Sequence, residues 1–148
     1  MRHVYLIDTN VISEARKGER ANAGVRQFFG RVLREGQSVF LSVVTVGELR
    51  RGIDLIRHRG NLDRTAVLEA WLARILTEYD DSVLDIDEEV AQVWGWLRVP
   101  HPENALDKQI AATALIHDLV VVTRNEQHFA GTGVPVLNPF LERSAGAR

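Results

Sequence analysis

A chain of 148 residues that is 45% hydrophobic falls in the size range of one globular domain with one core. It contains no cysteine, which excludes disulfide staples and thiolate zinc sites, so any bound metal must be held by carboxylate, carbonyl, hydroxyl or imidazole groups. The formal net charge of −2 excludes the broad basic footprint of a dedicated nucleic-acid binder, and no apolar run approaches the roughly eighteen residues of a membrane span.

The first element is the continuous apolar run Val4–Ile7, which reads as a buried strand. It is too short for the apolar core of a secretory leader and only Arg2 precedes it as a basic residue, so a cytoplasmic chain without membrane attachment is expected. Asp8 closes the strand, and Thr9, Asn10 and Ser13 follow as candidate caps of a helix. Val39–Leu41 predicts a second strand. Val46, Leu49, Ile53 and Ile56 recur at helical spacing within Val44–Arg59, and Leu68, Leu72, Ile75 and Leu76 do the same within Leu68–Leu76. Gly60-Asn61 breaks the two into a hairpin, with Asn61 or Asp63 as cap.

Val83-Leu84 is a weaker strand candidate, and Glu88–Leu97 is helical by spacing. Val99-Pro100-His101-Pro102 forms a rigid connection, after which Pro102 or Asn104 marks the start of a helix carrying Asp107–Leu115. Val120–Val122 predicts a strand and Val136-Leu137 a short last one. Strands that are uniformly apolar and alternate with helices argue for an α/β domain, a central parallel sheet of four or five strands flanked by helices. Residues 1–141 are expected to form that domain and residues 142–148 a disordered tail.

Ligands of open parallel sheets bind outside the carboxyl ends of the strands, which singles out Asp8. Glu48 lies early in the helix after the second strand, beside Gly47, whose helix cost suggests close approach by another group. Asp107 shares a stripe with Ile110, Ala111, Ala114 and Leu115, so its charge needs a partner. Each acid alone also reads as a cap or a solvated side chain, Asp107 being favoured by the helix dipole. Gathered at one end of the sheet, the three would repel unless a divalent cation with oxygen ligands is present, and such a cation activates water against a phosphodiester.

Leu6-Ile7-Asp8-Thr9-Asn10-Val11-Ile12-Ser13 resembles the opening signature of PIN-domain proteins, and more closely that of the VapC and FitB-type toxins of bacterial toxin–antitoxin pairs. Thr45-Val46-Gly47-Glu48-Leu49-Arg50-Arg51-Gly52 resembles the segment with the second acid, and Asp107–Ala114 the segment with the third. Val122-Thr123-Arg124-Asn125, Phe129, Gly131–Val134 and Asn138-Pro139 resemble the closing signature, so the likeness runs from Val4 to about Phe140. It implies a PIN fold, RNA hydrolysis with Mg2+ or Mn2+, a homodimer, and inhibition by a small DNA-binding antitoxin of the VapB or FitA kind. It also implies that Asp8, Glu48 and Asp107 are the catalytic, metal-binding acids, supported by Thr9, Asn10, Ser13, Thr123 and Asn125.

One residue departs from the pattern: where this branch often has an aspartate before Phe129, the chain has His128, which puts a second metal in doubt. The missing acid keeps open a catalytically inactive PIN-like binding or regulatory module. An aspartate-nucleophile phosphatase would need a second aspartate where Asn10 stands. For RNA the basic candidates are Arg16, Lys17, Arg50, Arg51, Lys108 and Arg124, with Arg124, Arg51 and Lys108 foremost. Trp71, Trp94 and Trp96 occupy apolar helical positions and are expected in core or dimer packing rather than base stacking.

Overall fold

The computed structural model describes residues 3–141, so the expected tail at 142–148 lies outside the described residues. Its five strands are β1 (Tyr5–Ile7), β2 (Val39–Ser42), β3 (Val83–Leu84), β4 (Val120–Val122) and β5 (Val136–Leu137). Its helices are α1 (Thr9–Ala15), α2 (Ala23–Glu35), α3 (Val43–His58), α4 (Leu62–Glu78), α5 (Glu88–Leu97) and α6 (Ala105–His117). All strand pairs are parallel, in the order β3-β2-β1-β4-β5, with Tyr5 in register with Val39 on one side and Val120 on the other. The sheet and the flanking helices other than α2 are those the sequence predicts.

Period-two alternation divides the core between the two faces of the sheet. Tyr5 and Ile7 of β1 and Val122 of β4 pack with Val11, Val25, Phe28, Leu49, Ile53 and Leu72 from α1 to α4. Leu6 and Val121 pack on the other face with Ile110, Ala111 and Ala114 of α6. The alanines leave α6 close to the sheet, which brings its first turn, and Asp107 with it, toward the strand ends.

Helix α2 has no counterpart in the sequence reading, although its signals are present. Val25, Phe28 and Val32 lie at helical spacing, Asn22 Oδ1 accepts from the Gly24 and Val25 N–H groups, and Gly36 ends the helix at φ 60. Helix α4 is longer than its apolar stripe, because Asn61 rather than Asp63 caps it by accepting from the Arg64 N–H. Asn104, in the left-handed region at φ 57, starts α6. No helix among the described residues is long and apolar enough to cross a membrane.

In this strand order β1 sends its chain to one side toward β2, while β4 lies on its other side. A crevice therefore opens past the carboxyl ends of β1 and β4, the position where doubly wound sheets bind ligands. The residues that follow these two strands are Asp8 and Thr123.

Candidate functional site

Asp8 is fixed from both sides of its peptide. Its N–H continues the sheet by donating to the Val122 carbonyl at 2.9 Å, and its side chain caps α1. Oδ1 accepts from the Thr9 N–H at 2.8 Å, while Oδ2 accepts from the Thr123 hydroxyl at 2.7 Å and the Asn10 amide at 3.2 Å. The Asn10 carbonyl oxygen in turn accepts from the Arg124 N–H at 3.0 Å, and the Thr123 hydroxyl accepts from the Asn125 N–H at the same distance. Asn10 and Thr123 thus tie the loop after β4 to the carboxylate that ends β1.

Glu48, on the second turn of α3, accepts from the Thr9 hydroxyl at 2.8 Å. Asp107 stands in the first turn of α6, where the helix dipole favours a carboxylate, and its Oδ2 lies 2.7 Å from Nδ1 of His128. His128 belongs to a short 3-10 turn, Glu126–Phe129, after β4. The three acids of the sequence reading are therefore neighbours, each tied to a residue from another element or from the loop after β4.

The electrostatics follow from burial. Asp8 is 2% exposed, and desolvation pushes its pKa from 3.8 up to about 6. The hydrogen bonds from Thr123 and Thr9 pull it down, whereas the negative charges of Asp107 and Glu48 add to the rise. Among the described residues no Lys or Arg side chain forms an ion pair with any of the three acids. Carboxylates supported by hydroxyl and amide groups, with negative charge left uncompensated, form a donor set that suits a hard divalent cation. As placed, no three His, Asp or Glu side chains among the described residues close on one point, since Thr9 holds Glu48 and His128 holds Asp107.

Ser13 forms no hydrogen bond to the carboxylates among the described residues but lines, with Thr9 and Glu48, a cavity of about 270 Å³. Leu49, Ile53, Leu68 and Trp71 line its apolar part, and Arg16 and Arg64 line it with positive charge. A second cavity of about 300 Å³ shares Arg16 and Trp71 and continues past Ile75 to Arg74 and Tyr79. The two together make a groove that leads away from the acids. Arg64 escapes the sequence reading because nothing local distinguishes it from other solvated arginines of α4.

Several expectations are corrected. Lys108 is only 6% exposed and its ammonium donates to the His101 carbonyl, so it is not presented to a substrate. It shares a helix stripe with Ala111 and Ala112, which is why the fold takes it inward. Arg50 is engaged by Glu69 at 2.8 Å on the α3–α4 surface, and Arg51 is exposed without lining the groove. The Arg124 backbone N–H reaches Asn10, but its guanidinium is stacked 4.8 Å over the Phe140 ring, and its charge acts on Glu14. Gly47 is not approached by any protein group, since a Cβ there would meet nothing within 4 Å. Trp71 is a core residue and the Trp94 indole N–H donates to the Ala105 carbonyl at 2.9 Å, but Trp96 is 71% exposed.

The chain is similar to known proteins over most of its length. The PIN domain family model matches residues 5–134. Toxin FitB of Neisseria gonorrhoeae is 36% identical over 141 residues, covering 91% of this chain and 97% of that protein. VapC ribonuclease Y4jK of Sinorhizobium fredii is 28% identical over 140 residues, covering 91% and 96%. The crystal structure of FitAcB from Neisseria gonorrhoeae superimposes with a TM-score of 0.80 at 35% identity, covering 93% of this chain and 99% of that one.

Proposed function

The chain belongs to the PIN-domain family, and from that premise we propose that it is the ribonuclease toxin of a toxin–antitoxin pair, acting in the cytoplasm with Mg2+ or Mn2+. The observation that carries this reading is the buried Asp8, raised in pKa by its burial, with Glu48 and Asp107 adding to the rise and no basic side chain paired to any of the three. Asp8, Glu48 and Asp107 hold the cation. When bound there, such a cation would supply polarisation of the phosphodiester and acidification of an attacking water, chemistry that carboxylates alone do not supply.

The remaining residues act on position. Thr9 holds Glu48, and Asn10 and Thr123 hold Asp8, so that the carboxylates are oriented before substrate arrives. Asn125 supports Thr123 through its backbone, and Arg16 and Arg64, which line the same cavity as Glu48, and Arg124 on the loop after β4 offer positive charge for RNA phosphate.

The partner reading rests on the groove. An apolar floor from Leu49 to Trp71 with Arg16, Arg64 and Arg74 around it fits an amphipathic segment of a small antitoxin. An arginine of that segment, reaching the end of the groove at Glu48, would pair with the carboxylates in place of the cation. A homodimer is the expected resting assembly of the toxin itself.

Induced expression in a bacterial host tests the function. The chain should arrest growth and fragment cellular RNA, the Asp8→Asn variant should do neither, and co-expression of the antitoxin encoded beside it should restore growth. Growth arrest with intact RNA would contradict the ribonuclease reading and favour a binding module.

A further inference from the structure

Helix α1 begins at the acids and ends in two cations. Asp8 caps its start and Arg16 and Lys17 follow its last turn, so at the rise of an α-helix the cations stand roughly 12 Å along the backbone from that carboxylate. Val11 and Ile12 bury one side of the helix, and the other side carries two polar stripes at helical spacing. Thr9, Ser13 and Arg16 form the first and line the cavity beside α3. Asn10, Glu14 and Lys17 form the second, on the side of the loop after β4. Each stripe starts at a residue that holds one of the acids, Thr9 for Glu48 and Asn10 for Asp8, and each ends in a cation.

The charges along this ridge are unequal. Among the described residues the Arg16 guanidinium forms no ion pair, and the residue is exposed. Lys17 pairs with Glu14 at 2.9 Å, and Glu14 also accepts from the Asn22 N–H at 2.8 Å. Those two hydrogen bonds, with the charges of Lys17 and Arg124, hold the Glu14 carboxyl below its ordinary pKa. Glu14 is therefore an ionised acid that cancels part of the positive charge around it.

Resting on the reading of the acids as a ribonuclease centre, we propose that the exposed ridge of α1 is the track of the RNA strand as it leaves that centre. Arg16 and Lys17 grip phosphates beyond the one attacked, and Glu14 limits the grip. Phosphate contacts of this kind fix the register of a strand without reading its sequence. The distance matters, because a cation paired directly to the carboxylates would compete with the metal, whereas cations one helix length away meet only the neighbouring phosphates. Asn10 and Ser13, between the two ends, are short and polar. The large apolar residues of α1 are both buried, so the ridge offers a peptide no anchor of the kind that dominates protein interfaces.

The test follows the anisotropy of a labelled single-stranded RNA oligomer across a range of salt, with the full chain carrying Asp8→Asn so that the strand is not cleaved. Arg16 also borders the groove proposed for the antitoxin, so the toxin is used alone. In that background Arg16→Ala should lower the salt slope by about 0.7, the share of one phosphate contact, and Lys17→Ala by less because Glu14 already offsets its charge. Glu14→Gln keeps an oxygen for the Asn22 N–H but loses the charge, so it should tighten RNA by about two- to fivefold. A residue that only shaped the fold would give no such gain. Arg34→Ala and Arg59→Ala, at the far ends of α2 and α3, should leave the slope unchanged. A slope unmoved by Arg16→Ala and Lys17→Ala together, or RNA affinity not raised by Glu14→Gln, overturns the track. So does poly-glutamate that displaces RNA as well as unlabelled RNA does, which would make the ridge a surface for an acidic protein. Metal-dependent cleavage by the chain with Asp8 intact is measured alongside: its absence overturns the ribonuclease reading itself, whereas cleavage with an unmoved slope overturns the track alone.

Discussion

Asp8 should make the metal-free protein less stable at neutral pH than at mildly acid pH, and Asp8→Asn should remove that weakness. The rise of its pKa from 3.8 to about 6 means that the folded chain holds the proton more tightly than the unfolded chain. Stability contributed by the protonated form is therefore present below about pH 4, is lost as pH climbs toward 6, and is gone at pH 7. At roughly 1.4 kcal/mol for each tenfold change in proton affinity, the loss at pH 7 is about 3 kcal/mol. The substituted asparagine would avoid that loss, keeping an oxygen for the Thr9 N–H but setting its amide against the Asn10 amide, a clash that costs on the order of 1 kcal/mol. Urea denaturation of both proteins in chelator, from pH 4 to 7, isolates the effect as the difference between them. That difference should grow in favour of Asp8→Asn by about 2.5 kcal/mol across the range, which is a thermal shift of about 2–4 °C per kcal/mol for a domain of this size. Added Mn2+ should stabilise the unaltered protein and leave the variant unmoved. A difference independent of pH would refute the reasoning.

Three further outcomes follow from the same geometry. Thr123→Val deletes the hydroxyl that donates to Asp8 at 2.7 Å, so the Asp8 pKa should rise further and urea denaturation at pH 7 in chelator should show a loss of about 1.5–3 kcal/mol. In an Asp8→Asn background, Lys108→Met should leave RNA affinity by fluorescence anisotropy unchanged because that ammonium is buried, whereas Arg124→Gln should lower the salt slope by about 0.7 if it removes one phosphate contact. Light scattering at micromolar concentration should give the mass of a dimer, twice that of one chain.

The parts legible in the sequence are those written in local pattern. Continuous apolar runs announce β1, β2 and β4, and the stripe of Ile110, Ala111 and Ala114 announces which face of α6 is buried and that Asp107 stands at its head, although Leu115, expected on the same stripe, is exposed. Helix α2 shows that a legible pattern can still go unread: Asn22, Val25, Phe28, Val32 and Gly36 carry a cap, a stripe and a stop, but arginines and glycines interleave with the apolar positions. Lys108 shows the converse, since its charge suggests a surface role while its register with Ala111 and Ala112 dictates burial. The contacts that orient the site lie beyond any local rule, because Asn10 and Thr123 meet across 113 positions of sequence and only the β1–β4 pairing brings them together. Likewise Thr9 and Glu48 meet across the ends of β1 and β2, a contact that depends on α1 and α3 leaving the sheet on the same face.

Cleavage of an RNA oligomer by the purified, metal-stripped chain, measured beside Asp8→Asn, Glu48→Gln and Asp107→Asn, tests the central claim most directly. The account predicts no cleavage in chelator, cleavage on addition of Mn2+ or Mg2+, and loss of most activity in each folded variant. Undiminished cleavage in chelator, or full activity in two of the three variants, would contradict it.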